Sequence, residues 1–283
     1  MKKVLLKGPL LTQSGYGHHA RTVLRALRTR EDLFDVYIQA VSWGKTSWLW
    51  EDNEERRWMD DNLQKTIMHI ESGGEFDMSI QVTIPNEWEK LAPINIGVTA
   101  GIETTKVAPQ WIEKSYLMEK IITISEHSKS TYKNTIYKAE NPETNEIVEI
   151  GCPVSIESVS YPVRKFEPKN IDLDLTTDFN FLSVVQLSPR KNADQLIRGF
   201  VETFKDNKNV GLILKSNLAK NSLIDRNTTF DSLKFILNKY PNRKCKIYLI
   251  HGDMTEEEMN GLYQSNSIKA FINIAHGEGF GLP

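Results

Sequence analysis

Cysteine is scarce in this chain: there are two in 283 residues, Cys152 and Cys245, far apart and in no CxxC pair. Neither a disulfide framework nor a cysteine-based zinc site is indicated. No excess of one charge exists either. The 35 Lys and Arg face 37 Asp and Glu, a formal net charge of −2, which removes any bulk electrostatic case for nucleic acid. Long apolar runs are missing too: none would span a bilayer, and the apolar part of "MKKVLLKGPL" is too short for a signal peptide. A cytoplasmic protein is expected, with no nucleic-acid partner and no transmembrane segment.

What is present is alternation. "KKVLL" ends in Gly8-Pro9, the mark of a buried strand and a turn. Ala20, Val23, Leu24 and Leu27 then form the stripe of an amphipathic helix. "DVYIQAV", "DMSIQV", "INIGVTA" and "KIITIS" read as further strands, with a helix around "EERRWMDDNLQKTIMHI". From about Val154 to Asp178 the chain turns polar and reads as a linker. Strands resume at "FNFLSVV", "VGLILK", "KIYLIHG" and "AFINIA", again with helices between them. Strand–helix alternation predicts parallel sheets covered on both faces. The expectation is an α/β chain of two Rossmann-like domains, 1–172 and 173–283, since one core takes roughly 100–200 residues.

Ligands of such sheets sit at the carboxyl ends of the strands, and four stretches lie there. In "LLTQSGYGHHARTVLRAL", Gly15 and Gly17 open the first helix and Ser14 stands where a cap belongs. A helix N-terminus attracts anions, yet a tight turn would use the same glycines. A dinucleotide fingerprint fits poorly, because six residues separate Gly8 from Gly15 and Asp35 falls at the start of strand two, not its end. His18 and His19 have no partner at metal spacing and read as surface histidines.

"VVQLSPRKNADQLIRGFVETF" brings Arg190 and Lys191 to a strand end ahead of a helix with Ala193, Leu196, Ile197, Phe200 and Phe204 on one stripe. Asn192 and Gln195 have the spacing of a capping pair. Two cations at that place can neutralise a diphosphate, although most surface Arg-Lys pairs bind nothing. "YLIHGDMTEEEMNGLY" places Asp253 and Met254 in a strand-to-helix loop, with Thr255 and Glu258 as a capping box. That loop can meet a flat base or be a mere connection. The last stretch, "AHGEGFGLP", sets the Glu278 carboxylate among glycines that let backbone N–H groups point at a ligand.

Taken together these motifs resemble the GT-B glycosyltransferases, specifically the retaining enzymes of glycosyltransferase family 4. The resemblance implies transfer of a sugar from a nucleoside diphosphate sugar to an acceptor hydroxyl, without a metal or other cofactor. It implies that Lys191 binds the donor diphosphate and that Glu278 is the catalytic contact to the donor sugar; Arg190 is the candidate to replace the arginine that the family has before the lysine and this chain lacks. The backbone at Gly279, Phe280 and Gly281 would help hold sugar and phosphate, Gly15 and Gly17 would approach the donor, and Asp253 and Met254 would lie by the base. Glu103, in "GVTAGIETTKVAPQW", is the candidate for the acceptor, which is a glycan, lipid or protein.

Two departures stand out. Val185-Gln186-Leu187 replaces the family's usual Gly-Arg-Leu before the lysine, and the second Glu of its Glu-x7-Glu motif would fall three positions beyond Pro283. The chain is therefore expected to be a fragment. A nucleotide-dependent oxidoreductase and a non-catalytic nucleotide-sugar binder are the alternatives. Asp172-Leu173-Asp174 spells a metal-holding Asp-x-Asp, but no strand leads into it.

Overall fold

The computed structural model describes residues 1–140, 146–279 and 281. The chain divides into two compact units, Met1–Pro162 and Val163–Glu278. In the first, β1 (Lys2–Gly8), α1 (Gly15–Arg28), β2 (Phe34–Ala40), α2 (Glu54–Glu71) and β3 (Met78–Val82) are followed by a short 3-10 turn, Pro85–Glu87. Then come β4 (Ile94–Val98), α3 (Pro109–Ser115), β5 (Lys120–Thr123), α4 (Glu126–Asn134), β6 (Tyr137–Glu140), β7 (Ile147–Ile150) and β8 (Ser155–Ser158). Six strands make one parallel sheet in the order β2-β1-β3-β4-β5-β8. Val4, Leu5 and Leu6 are all buried, so both faces of β1 are covered, as a parallel sheet requires.

Two expectations change here. The polar span from Val154 is not all linker, because β8 lies within it and pairs with β5. "SIES" offers one inward apolar residue, Ile156, which is too little for an alternation signal at a sheet edge. The antiparallel pair β6–β7 was likewise not expected.

The second unit contains β9 (Phe179–Val184), α5 (Ala193–Phe204), β10 (Val210–Lys215), α6 (Leu223–Leu237), β11 (Lys246–Ile250), α7 (Glu256–Tyr263) and β12 (Ile268–Phe271). Its sheet runs β11-β10-β9-β12, also all parallel, with a register shift between Ile268 and Ala270. The predicted stripe of α5 is buried at Ala193, Leu196, Ile197 and Phe200 against Leu212 and Leu214 of β10. Residues 166–169 lie along α7, where the Glu257 carbonyl accepts from the Lys169 backbone N–H at 2.9 Å. Both cysteines are free. Among the described residues no helix is long and apolar enough to cross a membrane.

Side-chain hydrogen bonds hold the long connection from β1 to α1 in place. Arg21, buried on α1, donates to the carbonyls of Leu10 and Thr12 at 2.7 and 2.8 Å. Ser14 caps the helix by accepting from the Gly17 N–H at 2.9 Å. A Cβ at Gly17 would come 2.1 Å from the Thr12 carbonyl oxygen, while one at Gly15 would meet nothing within 4 Å. Gly17→Ala should therefore cost about 1–3 kcal/mol by overpacking, and Gly15→Ala next to nothing. Urea midpoints of the two variants check this; equal midpoints would refute the tight approach.

Candidate functional site

Sheet order selects the place in the second unit. The connection after β9 leads towards β10 on one side, while β12 lies on the other, so the order reverses between β9 and β12. The crevice at their carboxyl ends is where open α/β sheets bind ligands. The β9 loop turns tightly: the Ser188 carbonyl accepts from the Lys191 N–H and the Pro189 carbonyl from the Asn192 N–H, each at 3.1 Å. The β12 loop lies beside it, its His276 N–H donating to the Arg190 carbonyl at 2.9 Å.

Lys191 and Glu278, 87 residues apart, meet there. The Lys191 ammonium donates to both Glu278 carboxylate oxygens at 2.5 Å. The two side chains are only 15% and 25% exposed. Asn273 also donates to Glu278 Oε1 at 3.1 Å, and Arg190 donates to the Gly277 carbonyl at 2.7 Å. Partial burial pushes the Glu278 carboxyl up. The bonds from Lys191 and Asn273 and the nearby Lys191 and Arg190 charges outweigh that and hold it below its ordinary value.

Asn192 does not cap α5 with its side chain, contrary to the Asn192–Gln195 pairing expected from spacing. Its backbone is left-handed at φ 54, which asparagine tolerates, and its amide donates to the Ile274 carbonyl at 3.3 Å. Asn192 thus ties the β9 loop to the β12 loop. Gly279, and Gly281 at φ 79, follow Glu278 in the chain. Phe280 lies outside the described residues.

The β10 and β11 loops hold a second network that sequence reasoning missed. Asp225, in the first turn of α6, accepts from the backbone N–H groups of Leu218, Ala219 and Lys220 at 3.1, 2.8 and 2.9 Å. His251 Nε2 stands 2.8 Å from its Oδ1, and their side chains are 2% and 9% exposed. Burial alone would raise the Asp225 carboxyl; the His251 bond and the three backbone donors overcome it and bring the pKa to about 2. Asn221 of the same loop donates to the Asp253 carboxylate. Met254 packs with Met259 and Leu262. Lys215, at the end of β10, donates to the Gly252 carbonyl at 2.5 Å, and its ammonium is held below its ordinary value by burial, opposed by the Asp253 charge. Its one sequence signal is a lysine closing an apolar strand. Thr255 and Glu258 form the expected capping box.

In the first unit, Tyr16 on α1 pairs with Thr99 after β4 at 3.0 Å and accepts from the Ala100 N–H at 3.1 Å. His19 is a correction: it is 6% exposed, not on the surface. Its ring lies 4.7 Å from that of Tyr161, and burial, with the charge of His18, lowers its pKa to about 4. Glu103 lies exposed in the connection after β4. Asp172 and Asp174 line a cavity of about 640 Å³ in the second unit with Phe230 and Tyr248. Among the described residues no three His, Cys, Asp or Glu gather as a metal site would need.

No family model and no curated protein matches the sequence. Solved structures do. The chain is similar to OtsA in its apo form over 99% of its own length and 79% of that chain, with a TM-score of 0.58 at 10% identity. It is similar to S. aureus MnaA with UDP over 95% and 74%, at TM-score 0.46 and 9% identity. The catalytic domain of starch synthase IV from Arabidopsis thaliana bound to ADP and acarbose gives 89% and 75%, at 0.43 and 8%. The latter two likenesses are too distant to bear on this chain. The likeness to OtsA shows the fold. It is α/β, with two Rossmann-like units, the class expected from the motifs.

The Asp225 network makes a measurable claim. A carboxyl whose folded pKa is about 2 stabilises the fold above its unfolded value near 4 and loses that contribution as pH falls from there towards 2. Asp225→Asn should cost about 2 kcal/mol at pH 7, and the gap to the parent should narrow below pH 4. Urea unfolding of both proteins across pH 7 to 3 tests it; a gap independent of pH would mean the charge is not what stabilises.

Proposed function

We propose that the chain is a glycosyltransferase that takes a sugar from a nucleoside diphosphate sugar and passes it to an acceptor hydroxyl. The observation that carries this reading is the meeting of Lys191 and Glu278 at the reversal of strand order, beside the N-terminus of α5. The reaction expels a nucleoside diphosphate, so its transition state needs fixed positive charge near the departing oxygens. Lys191 provides an ammonium there, and Arg190 lies next to it in the turn. Glu278, kept ionised, accepts hydrogen bonds from sugar hydroxyls. A diphosphate arriving at Lys191 competes with Glu278 for the same protons, which turns the carboxylate towards the sugar as the donor seats.

Retention of configuration and independence of a metal belong to the same proposal. They rest on the resemblance to family 4 and on chemistry assigned to lysine and helix N-terminus. Glu103 as the acceptor contact, and Asp253 and Met254 as contacts to the base, are likewise part of it. The Asn221 bond to Asp253 supports the last, since it holds that carboxylate in place.

Calorimetry with UDP, ADP and GDP tests the phosphate role. Lys191→Ala should weaken the preferred diphosphate by about 1.5–3 kcal/mol, the range for hydrogen bonds to charged groups; unchanged affinity would end the assignment. Glu278→Gln should lower kcat at least about 100-fold, as loss of a transition-state contact does. Diphosphate affinity should stay level or tighten in that variant, because Lys191 loses its competitor. Full turnover at saturating donor would remove Glu278 from the mechanism.

A further inference from the structure

The connection from β2 to α2 carries a feature that sugar transfer at Lys191 and Glu278 does not use. "VSWGKTSWLW" holds Trp43, Trp48 and Trp50, three of the chain's six tryptophans. Trp48 is 53% and Trp50 57% exposed. Loose backbone does not explain this. The Ser47 carbonyl accepts from the Gln13 N–H at 2.8 Å, and the Leu49 N–H donates to the Leu11 carbonyl at 2.8 Å. Between these bonds Trp48 forms an antiparallel bridge with Thr12. Arg56 donates to the Leu49 carbonyl at 3.1 Å.

The pinned segment alternates. Leu49 packs into the core between two exposed indoles, so Trp48 and Trp50 stand on one side of an extended strand, about 7 Å apart at ~3.3 Å per residue. Trp43 stacks obliquely on Tyr16, ring centres 4.4 Å apart. Large apolar side chains held outward on a fixed backbone mark a binding surface, and aromatic rings give contact area at small entropic cost.

The surroundings decide what is bound. Residues 41–57 hold Lys45, Arg56 and Arg57 against Glu51, Asp52, Glu54 and Glu55, and Asp52, Glu54 and Glu55 are paired with Arg57, Arg28 and Arg25. An interfacial segment that grips anionic lipid carries an excess of unpaired cations, which this one lacks. Asn53 donates to Glu51 at 3.0 Å, and Arg57 holds Asp52 at 2.9 Å, so fixed carboxylates border the indoles. Flat apolar rings beside ordered carboxylates fit a pyranose: its C–H face lies on an indole and its hydroxyls donate to the acids. We infer that Trp48 and Trp50 form a platform for a saccharide of two or more rings, the non-donor substrate. The word substrate rests on the glycosyl-transfer proposal; the saccharide site itself does not.

The test is a glycan array probed with the full chain, its hits titrated as free oligosaccharides by tryptophan fluorescence. The parent should bind at least one oligosaccharide. Trp48→Ala/Trp50→Ala should weaken it tenfold or more, and Trp48→Tyr/Trp50→Tyr should restore most of the binding; the unchanged circular dichroism of these surface variants verifies folding. Absence of any saccharide hit, or binding indifferent to both tryptophans, overturns the inference. Tryptophan-dependent sedimentation with phosphatidylcholine–phosphatidylglycerol vesicles, in place of saccharide binding, also overturns it. Nucleoside diphosphate calorimetry on the same samples separates the two claims. A parent that binds saccharide through its tryptophans but no diphosphate ends the transfer reading alone, and the reverse result ends the platform alone.

Discussion

A parallel strand cannot be followed directly by its neighbour; the chain must cross back over the sheet before the next strand begins. Every strand in the two parallel sheets obeys this constraint, and its consequence is that their strand-to-helix connections emerge at one edge in each unit. With the order β11-β10-β9-β12, the connections after β9 and β12 become neighbours at that edge although 87 residues separate Lys191 from Glu278. Backbone hydrogen bonds between strands thus determine which side chains can meet. The apolar core does the same from below, since burial of Leu196, Ile197 and Phe200 fixes α5 and hence the height of the turn that carries Lys191.

Much of this was legible in the chain itself. β10 falls on "VGLILK" residue for residue, because a strand buried on both faces is a plain apolar run. The stripe of α5 and the caps at Ser14 and Thr255 were equally readable, each resting on local spacing that tertiary contacts then reinforced. The place of Arg190, Lys191 and Glu278 beyond strand ends was readable too, because each follows an apolar strand run.

What was not legible depends on contacts far along the sequence. Asn192 has the spacing of a capping residue, yet the nearby Ile274 carbonyl competes for its amide and the backbone adopts a left-handed turn instead. His19 stands beside His18 in a polar stretch, and only the packing of Tyr161, 142 positions on, shows that it is buried. β8 carries too few apolar residues to announce itself and exists because β5 offers an unpaired edge. The Asp225–His251 contact joins two residues whose neighbourhoods look like ordinary helix start and ordinary loop.

Asp225 and Glu278 show how one sheet edge can hold two carboxylates in different ways. Asp225 spends its oxygens on three backbone N–H groups and His251, and its side chain is 9% exposed. A ligand would have to displace several donors from a nearly buried charge at once, so it cannot exchange with them cheaply. Glu278 has a lysine and an amide for partners, both flexible side chains, and is 25% exposed. A mobile ammonium can rotate towards a phosphate while keeping one proton on the carboxylate, because it has three protons to share. The edge is therefore held firmly where backbone donors bind a carboxylate and more exchangeably where side chains do.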